Sequence, residues 1–204
     1  MILAIDPGPE HSAYVAYDGF RPLSFGKIEN SELLRRIKDT ELDGQTLVIE
    51  QIAAMGMAVG AEVFETVFWS GRFAQAWCGE FDRVKRHAVK MHLCGNMRAK
   101  DGNIRQAIVD KFGGKERGIG LKKTPGPLYG LSGDCWSALA VAITWWETQR
   151  KIEDSGLPHG GHGGTAQKSV DSFTPSDKIN EPRKCSNTRA ALTIAPDLEA
   201  RNGY

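Results

Sequence analysis

The sequence predicts an α/β fold in which helices flank a mixed five-stranded sheet, made of a three-strand antiparallel meander plus parallel strands. Two observations predict it. The chain opens with three short apolar or alternating runs separated by Gly-containing turns, a pattern typical of a meander. Segments with helical spacing then alternate with short apolar runs, a pattern typical of strands joined by helices. The apolar content of 41% and the charged content of 25% are those of a globular protein.

The three strands of the meander are predicted at residues 1–6, His11–Tyr17 and Leu23–Ile28. The connections between them contain Pro7-Gly8 and Asp18-Gly19, which favour tight turns. The first strand is apolar until it ends in Asp6, so a carboxylate is expected at the mouth of a buried strand.

A helix and a second buried strand follow the meander. Ser31 is predicted as the N-cap of a helix that runs to about Ile37, because its hydroxyl can accept backbone N–H bonds. The apolar run Thr46–Ile49 then predicts a strand that ends in Glu50.

The rest of the fold is predicted from changes of periodicity. An amphipathic helix with an apolar stripe facing the sheet is expected from about Ala58 to Phe81. The remaining elements are an edge or parallel strand at Asp82–Val89, a helix at Asn103–Phe112, a mobile loop at Gly113–Gly130 and a last helix from Gly133 to Arg150.

Domain organisation is predicted as one domain, residues 1–150, followed by a tail. Residues 151–204 are poor in large apolar side chains and lack a sustained period, so a disordered or loosely attached tail is expected. With no run of 18 apolar residues and no leader pattern, neither a membrane partner nor secretion is expected. Four widely spaced cysteines favour reduced thiols and a cytoplasmic protein over a zinc site.

Two carboxylates occupy matching positions. Asp6 and Glu50 each end a buried apolar strand, and if those strands are neighbours, both carboxylates lie at one edge of the sheet. Two close carboxylates repel each other, and a hard divalent cation, Mg²⁺ or Mn²⁺, is the usual remedy. Asp134, in the first turn of the last helix, is the best candidate for a third ligand.

Each of these acids also has a structural interpretation. Asp6 can serve as a turn residue before Pro-Gly, Glu50 as a solvent-facing strand end, and Asp134 as a helix N-cap. The metal-site interpretation is favoured for Asp134 because it forms a set with the other two.

A basic block lies in the middle of the chain. Residues 83–123 hold 12 Lys and Arg against 3 Asp and Glu, a net charge of +9, whereas the whole chain carries +1. This distribution is the one expected of a polyanion-binding face, and a solvated basic surface is the alternative.

Four short motifs resemble a known family. They are IDPG at 5–8, VIEQ at 48–51, GNMRAK at 95–100 and GDCWSALAVA at 133–142. In order and approximate spacing they resemble the RuvC-type Holliday junction resolvases of the RNase H-like superfamily, most closely the bacteriophage-encoded relatives. The resemblance covers about residues 1–150.

The resemblance implies an RNase H-like fold and a homodimer acting in a bacterial or phage-infected cell. It implies that Asp6, Glu50 and Asp134 are catalytic and hold two Mg²⁺ or Mn²⁺ ions per active site. One ion would activate water and the other would stabilise the leaving 3′ oxygen, so the products would carry a 5′-phosphate and a 3′-hydroxyl. Family members often carry a second acid three residues after the position of Asp134, and here Ser137 stands there, which can ligate or hold a water.

The resemblance also gives the basic block a role in binding branched DNA. Neutralisation of phosphates predicts salt-dependent binding. In the resembling proteins the region after Glu50 touches the junction centre, where Met55 or Met57 would wedge against an unstacked base, or the loop would pack on its own helix. The residues expected to contact DNA are Arg86, Arg98, Lys100, Arg105, Lys122, Lys123, Gln51 and Met55.

The leading hypothesis is therefore a metal-dependent, structure-selective endonuclease that cleaves Holliday junctions or related branched DNA by paired nicks. Two alternatives stay open. A non-catalytic branched-nucleic-acid-binding protein of the same fold would bind junctions without nicking them in either metal. An actin-like or sugar-kinase-like ATPase domain, whose first strand also ends in an acid, would bind ATP tightly.

Overall fold

A five-stranded mixed sheet forms the centre of the protein. The computed structural model describes residues 1–39, 46–52 and 59–155. The strands are β1 Ile2–Asp6, β2 His11–Tyr17, β3 Pro22–Glu29, β4 Thr46–Gln51 and β5 Glu80–Lys85. Their order is β3-β2-β1-β4-β5, with β1, β2 and β3 antiparallel and β4 parallel to both β1 and β5. The predicted mixed sheet with its meander is confirmed.

Five α-helices surround the sheet in the described part of the chain. They are α1 Asn30–Lys38, α2 Ala61–Ala76, α3 Arg86–Cys94, α4 Asp101–Lys111 and α5 Cys135–Ser155. Between α4 and α5 the chain forms a π-helical turn, Lys115–Ile119, and a small hairpin of β6 Gly120–Leu121 and β7 Thr124–Pro125.

Each face of the sheet has its own hydrophobic cluster. On one face β1 and β4 pack with α1 and α2, through residues such as Leu3, Leu33 and Phe73. On the other face Val15 and Val48 pack against α5. Because the central strands are covered on both sides, residues 2–5 of β1 and 47–49 of β4 are continuous apolar runs instead of alternating.

Helix α5 approaches the sheet closely. Its residues 138–143, ALAVAI, are all at most 1% exposed. Three of these six residues are alanines, and their small side chains let the helix backbone lie near β1 and β2. The helix therefore begins beside the carboxyl end of β1, which brings Asp134 near Asp6.

A buried polar network holds the turn that follows Asp6. The Ser12 hydroxyl donates to Oδ1 of Asn30 (2.6 Å), and Nδ2 of Asn30 donates to the Gly8 carbonyl (2.9 Å). The Gly8 N–H in turn donates to Oγ of Ser12 (3.2 Å). Because both side chains are buried and bonded to each other, the turn is fixed against β2 and the start of α1.

Several predicted boundaries were wrong. Helix α1 begins at Asn30, and Ser31 lies inside it, where its hydroxyl donates to the Glu29 carboxylate (2.8 Å) instead of capping the helix. The strand predicted at Asp82–Val89 ends at Lys85, and α3 begins directly at Arg86.

The predictions for α2 and for residues 113–130 also need correction. Helix α2 is shorter than predicted, and Phe64, Val67 and Phe68 are more than half exposed instead of facing the sheet. The segment predicted as a mobile loop contains the π-helical turn and the hairpin, and Leu128 within it is 1% exposed. The last helix continues to Ser155, and the predicted tail otherwise lies outside the described residues.

The described residues also show whether any helix could span a membrane and in what state the cysteines are. None of the helices there is long and apolar enough to cross a membrane. Cys94 and Cys135 are free thiols, and Cys185 lies outside the described part of the chain.

We expect Gly8→Ala to destabilise the fold. A Cβ at Gly8 would lie 2.4 Å from the His11 carbonyl oxygen, a backbone atom that cannot move aside. Overpacking of this kind costs about 1–3 kcal/mol, measurable as a lower free energy of unfolding in urea.

The matched control for that substitution is Gly71→Ala. A Cβ there meets open space within α2, and alanine is the better helix former, so stability should rise by about 0.5–1 kcal/mol. Equal effects at the two sites would contradict the role given to the Gly8 turn.

Candidate active site

Asp6 and Glu50 lie side by side at the carboxyl ends of two neighbouring parallel strands. The register pairs Ile5 of β1 with Ile49 of β4, so the next residue of each strand is a carboxylate. Strand alternation places both side chains on the α5 face, the face of Ala4 and Val48. The two carboxyl groups lie close enough for a hydrogen bond between them when one is protonated. The structure therefore brings together the first two predicted site residues.

The pair carries more negative charge than its surroundings stabilise. Glu50 is only 6% exposed. Burial, the hydrogen bond that protonated Asp6 donates to Glu50, and the negative charge of Glu50 raise the pKa of Asp6 to about 8, while the charge of Arg86 acts in the opposite direction. At neutral pH the pair thus holds a proton, which reduces the repulsion between the two carboxyl groups. A bound cation would reduce the same repulsion.

Arg86 is the strongest partner of Glu50. Its Nη1 donates to both carboxylate oxygens of Glu50, at 3.0 and 3.3 Å, and its Nη2 donates to Oδ1 of Asp101 at 2.6 Å. Arg86 reaches the site because α3 begins directly after β5, whose Val84 pairs with Glu50. Although Arg86 was predicted to contact DNA, the structure places its guanidinium between two carboxylates.

Asp134 precedes the first residue of α5 instead of lying in its first turn. Its carbonyl accepts from the Ala138 N–H (3.0 Å), as an N-cap residue does. Its carboxylate pairs with the Lys27 ammonium, with Oδ2 to Nζ at 2.7 Å, and both side chains are half exposed. The negative charge of Asp134 nevertheless contributes to the raised pKa of Asp6. The third predicted acid thus stands at the mouth of the site, bound to a lysine.

Sequence reasoning missed Lys27. It lies on β3, and the register connects it to the site, since Asp6 pairs with Ala13 and Ala13 pairs with Lys27. These three residues share one face of the sheet, and the small Ala13 side chain separates the other two. The sequence of β3 shows no feature that marks Lys27 as part of a site. Only the pairing of β3 with β2, and of β2 with β1, reveals that Lys27 lies near Asp6.

The fit of the site to a divalent cation is partial as it stands. In residues 1–39, 46–52 and 59–155, no three His, Cys, Asp or Glu side chains are grouped so that they could hold a metal ion. Asp6 and Glu50 offer hard oxygen ligands and an unbalanced charge, which suit Mg²⁺ or Mn²⁺. Asp134 completes the set only when it leaves Lys27, and the half-buried Ser137, one turn further along α5, adds a hydroxyl without charge.

Two of the predicted DNA-binding residues share a groove. Arg98 and Lys100 line an open groove of about 450 Å³ beside α4, together with the polar side chains of Asn103 and Gln106. Both basic residues are exposed. Asp110 also lines the groove, so it presents two basic side chains and one acidic one in an open position that a phosphate can reach.

The other predicted DNA contacts are scattered. Lys122 and Lys123 are exposed in the turn between β6 and β7. The guanidinium of Arg105 lies over the Trp136 ring, 4.8 Å from its centroid, which ties α4 to the start of α5. Gln51 ends β4 and, by alternation, faces away from Glu50. Met55 lies outside the described residues.

Comparison with known proteins supports the fold. No protein-family model and no curated protein matches the chain. Among solved structures it is similar to Thermus thermophilus RuvC, with 17% identity, a TM-score of 0.50, and coverage of 74% of this chain and 96% of that one. A T. thermophilus RuvC in complex with a Holliday junction substrate matches with 16% identity and a TM-score of 0.52, covering 74% and 95%. The predicted RNase H-like fold and the resemblance to RuvC are thereby confirmed at the level of the fold.

The charge excess at Asp6 predicts a pH-dependent stability for the protein in EDTA. Because the folded-state pKa of about 8 exceeds the ordinary aspartate value of 3.8, the folded state keeps a proton that the unfolded chain has lost, and this stabilisation falls steadily as pH rises from the lower value through the higher one. Asp6→Asn removes that titration. The variant should therefore gain melting temperature relative to wild type between about pH 5 and about pH 9, and a constant difference would contradict the assignment.

Proposed function

We propose that the protein is a divalent-metal-dependent, structure-selective DNA endonuclease that cleaves Holliday junctions or related branched DNA by paired nicks. The contact between the Asp6 and Glu50 carboxyl groups at the ends of two parallel strands carries the proposal. Further support comes from the fold shared with T. thermophilus RuvC, one structure of which is a complex with a Holliday junction substrate.

The proposed mechanism assigns a task to each side chain of the site. Asp6, Glu50 and Asp134 would hold two Mg²⁺ or Mn²⁺ ions, with Ser137 as a neutral ligand or a holder of water. When held by these residues, the ions would supply activation of a water and stabilisation of the leaving 3′ oxygen, chemistry that would give a 5′-phosphate and a 3′-hydroxyl. Arg86 fixes the orientation of Glu50 through its two hydrogen bonds.

The basic surface would hold the flanking DNA. Arg98 and Lys100 in the α4 groove, and Lys122 and Lys123 at the hairpin tip, are exposed and can neutralise phosphates. Gln51, Arg105 and Met55 complete the proposed contacts, and we place the reaction in the cytoplasm of a bacterial or phage-infected cell.

A homodimer is part of this proposal because paired nicks need two active sites. Helix α2 exposes Phe64, Val67 and Phe68 along one side, at exposures of 67%, 52% and 59%. The Arg72 guanidinium covers only part of this surface, 5.6 Å from the Phe68 ring centroid. An apolar stripe on a helix is self-complementary across a two-fold axis, which is how two copies would bury it.

The pairing of Asp134 with Lys27 favours one second candidate. A non-catalytic branched-DNA-binding protein of the same fold would keep the basic groove while its third carboxylate stays neutralised. The neutral Ser137 on α5 is consistent with this candidate.

Substitution of the paired carboxylates separates these two candidates. Asp6→Asn or Glu50→Gln should lower the rate of junction cleavage in Mg²⁺ by about a hundredfold or more, since a ligand contributes several kcal/mol of transition-state stabilisation. Junction binding should persist. The measurement is a gel assay of four-way junction, flap and linear duplex with Mg²⁺ and with Mn²⁺.

The control is Asp18→Asn, which removes one carboxylate at the opposite end of the sheet and keeps the Oδ1 atom that accepts from Phe20 and Arg21. It should cleave like wild type. Binding without nicking by the wild type in both metals would support the non-catalytic candidate, and full cleavage by Asp6→Asn would refute the active site.

We expect Phe68→Glu to weaken the dimer at least about tenfold, because it places a charge in the centre of the exposed stripe on α2. The dissociation constant can be measured by analytical ultracentrifugation. Phe20→Glu is the matched control, since Phe20 is 79% exposed in the turn between β2 and β3. Dimers of equal strength in both variants would place the interface elsewhere.

A further inference from the structure

Lys27 and Arg86 flank the paired carboxylates on opposite sides. Across the sheet edge the order is Lys27 on β3, Asp6 on β1, Glu50 on β4 and Arg86 after β5. When both carboxyl groups are ionised, the charges in this row are positive, negative, negative and positive. Each outer cation neutralises a carboxylate that the site would use: Arg86 pairs with Glu50, and Lys27 pairs with Asp134.

The two cations differ in how firmly they are held. Arg86 has a planar guanidinium that bridges Glu50 and Asp101 through three hydrogen bonds. Lys27 makes one ion pair, through a point charge on a flexible four-carbon stem, and half of its side chain is exposed. Removal of Arg86 from Glu50 would leave a buried carboxylate without its partner, whereas Lys27 can swing into solvent and leave behind a half-exposed one. Of the two, Lys27 is therefore the one that can exchange.

We propose that Lys27 is a positioning residue that holds the Asp134 carboxylate in the cation-free protein and competes with the divalent cation for it. The inference rests on the proposed function, because it takes Asp134 as a ligand of that cation. Lys27 thereby sets the cation concentration at which the three carboxylates assemble.

The size of the effect follows from the exposure of the pair. Half-exposed ion pairs contribute up to about 1 kcal/mol, which corresponds to about a fivefold change in an equilibrium constant. Loss of the ammonium should therefore tighten cation binding by about threefold to fivefold.

Cation affinity of the full chain without DNA tests the proposal. Mn²⁺ alone is the probe, titrated by calorimetry and by the rise in melting temperature, so that the readout does not depend on cleavage. Lys27→Met should bind Mn²⁺ about threefold to fivefold more tightly than wild type. Lys27→Arg, which keeps the charge, should stay near the wild-type affinity.

Two further variants isolate the cause. Lys38→Met removes an exposed lysine from α1, on the other face of the sheet, and should leave the affinity unchanged. In the Asp134→Asn background, Lys27→Met should no longer tighten binding, because the carboxylate that Lys27 occupies is gone.

The possible outcomes separate this inference from the proposed function. Tighter Mn²⁺ binding by Lys27→Met that depends on Asp134 supports it, even if the wild type never nicks a junction, in which case only the nuclease assignment fails. Equal affinities in Lys27→Met and wild type overturn it, as does a gain of equal size in Lys38→Met or in Lys27→Arg. Failure of both wild type and Lys27→Met to bind Mn²⁺ also overturns it.

Discussion

The contact between the Asp6 and Glu50 carboxyl groups is the constraint on which the rest of the site depends. Two carboxylates at the ends of parallel strands repel each other, and burial makes the repulsion stronger. A proton held by the pair and the Arg86 guanidinium on the side of β5 reduce this repulsion. The hydrogen bond between Ser12 and Asn30 fixes the turn that follows Asp6. Each of these features lowers the cost of a pair that the fold alone would not favour, and such a cost is typical of a functional site.

The sheet determines where that pair stands. Parallel pairing of β1 with β4 brings two carboxyl ends together, and close packing of α5 on the same face brings Asp134 to the same edge. The antiparallel strands β2 and β3 continue this edge of the sheet beyond β1. Their register places Lys27 of β3 on the same edge and face as Asp6. The acids and the cations thus come from different parts of the chain, and only the sheet order makes them neighbours.

This origin explains what the sequence could predict. Asp6 and Glu50 were predictable because each follows an apolar run, which is a pattern visible in the local sequence. If the two strands are neighbours, the two acids must lie together in one site. Lys27 was not predictable, since its role depends on a register across three strands. The exposure of Phe64 and Phe68 was missed for a related reason: apolar periodicity predicts that a face is buried without saying whether this chain or another one buries it.

A charge balance connects Ser137 with Lys27. Ionised Asp6, Glu50 and Asp134, with the Asp101 that shares Arg86, bring four negative charges, and Lys27 and Arg86 bring two positive ones, so the cation-free site keeps one negative charge once Asp6 is protonated. A further carboxylate in place of Ser137 would add a second negative charge that the described partners do not balance. In the proposed two-ion state the same groups sum to an excess of positive charge, which only an anion can offset. A DNA phosphate is such an anion, so the neutral residue on α5 suits a site in which the substrate itself helps to retain the second ion.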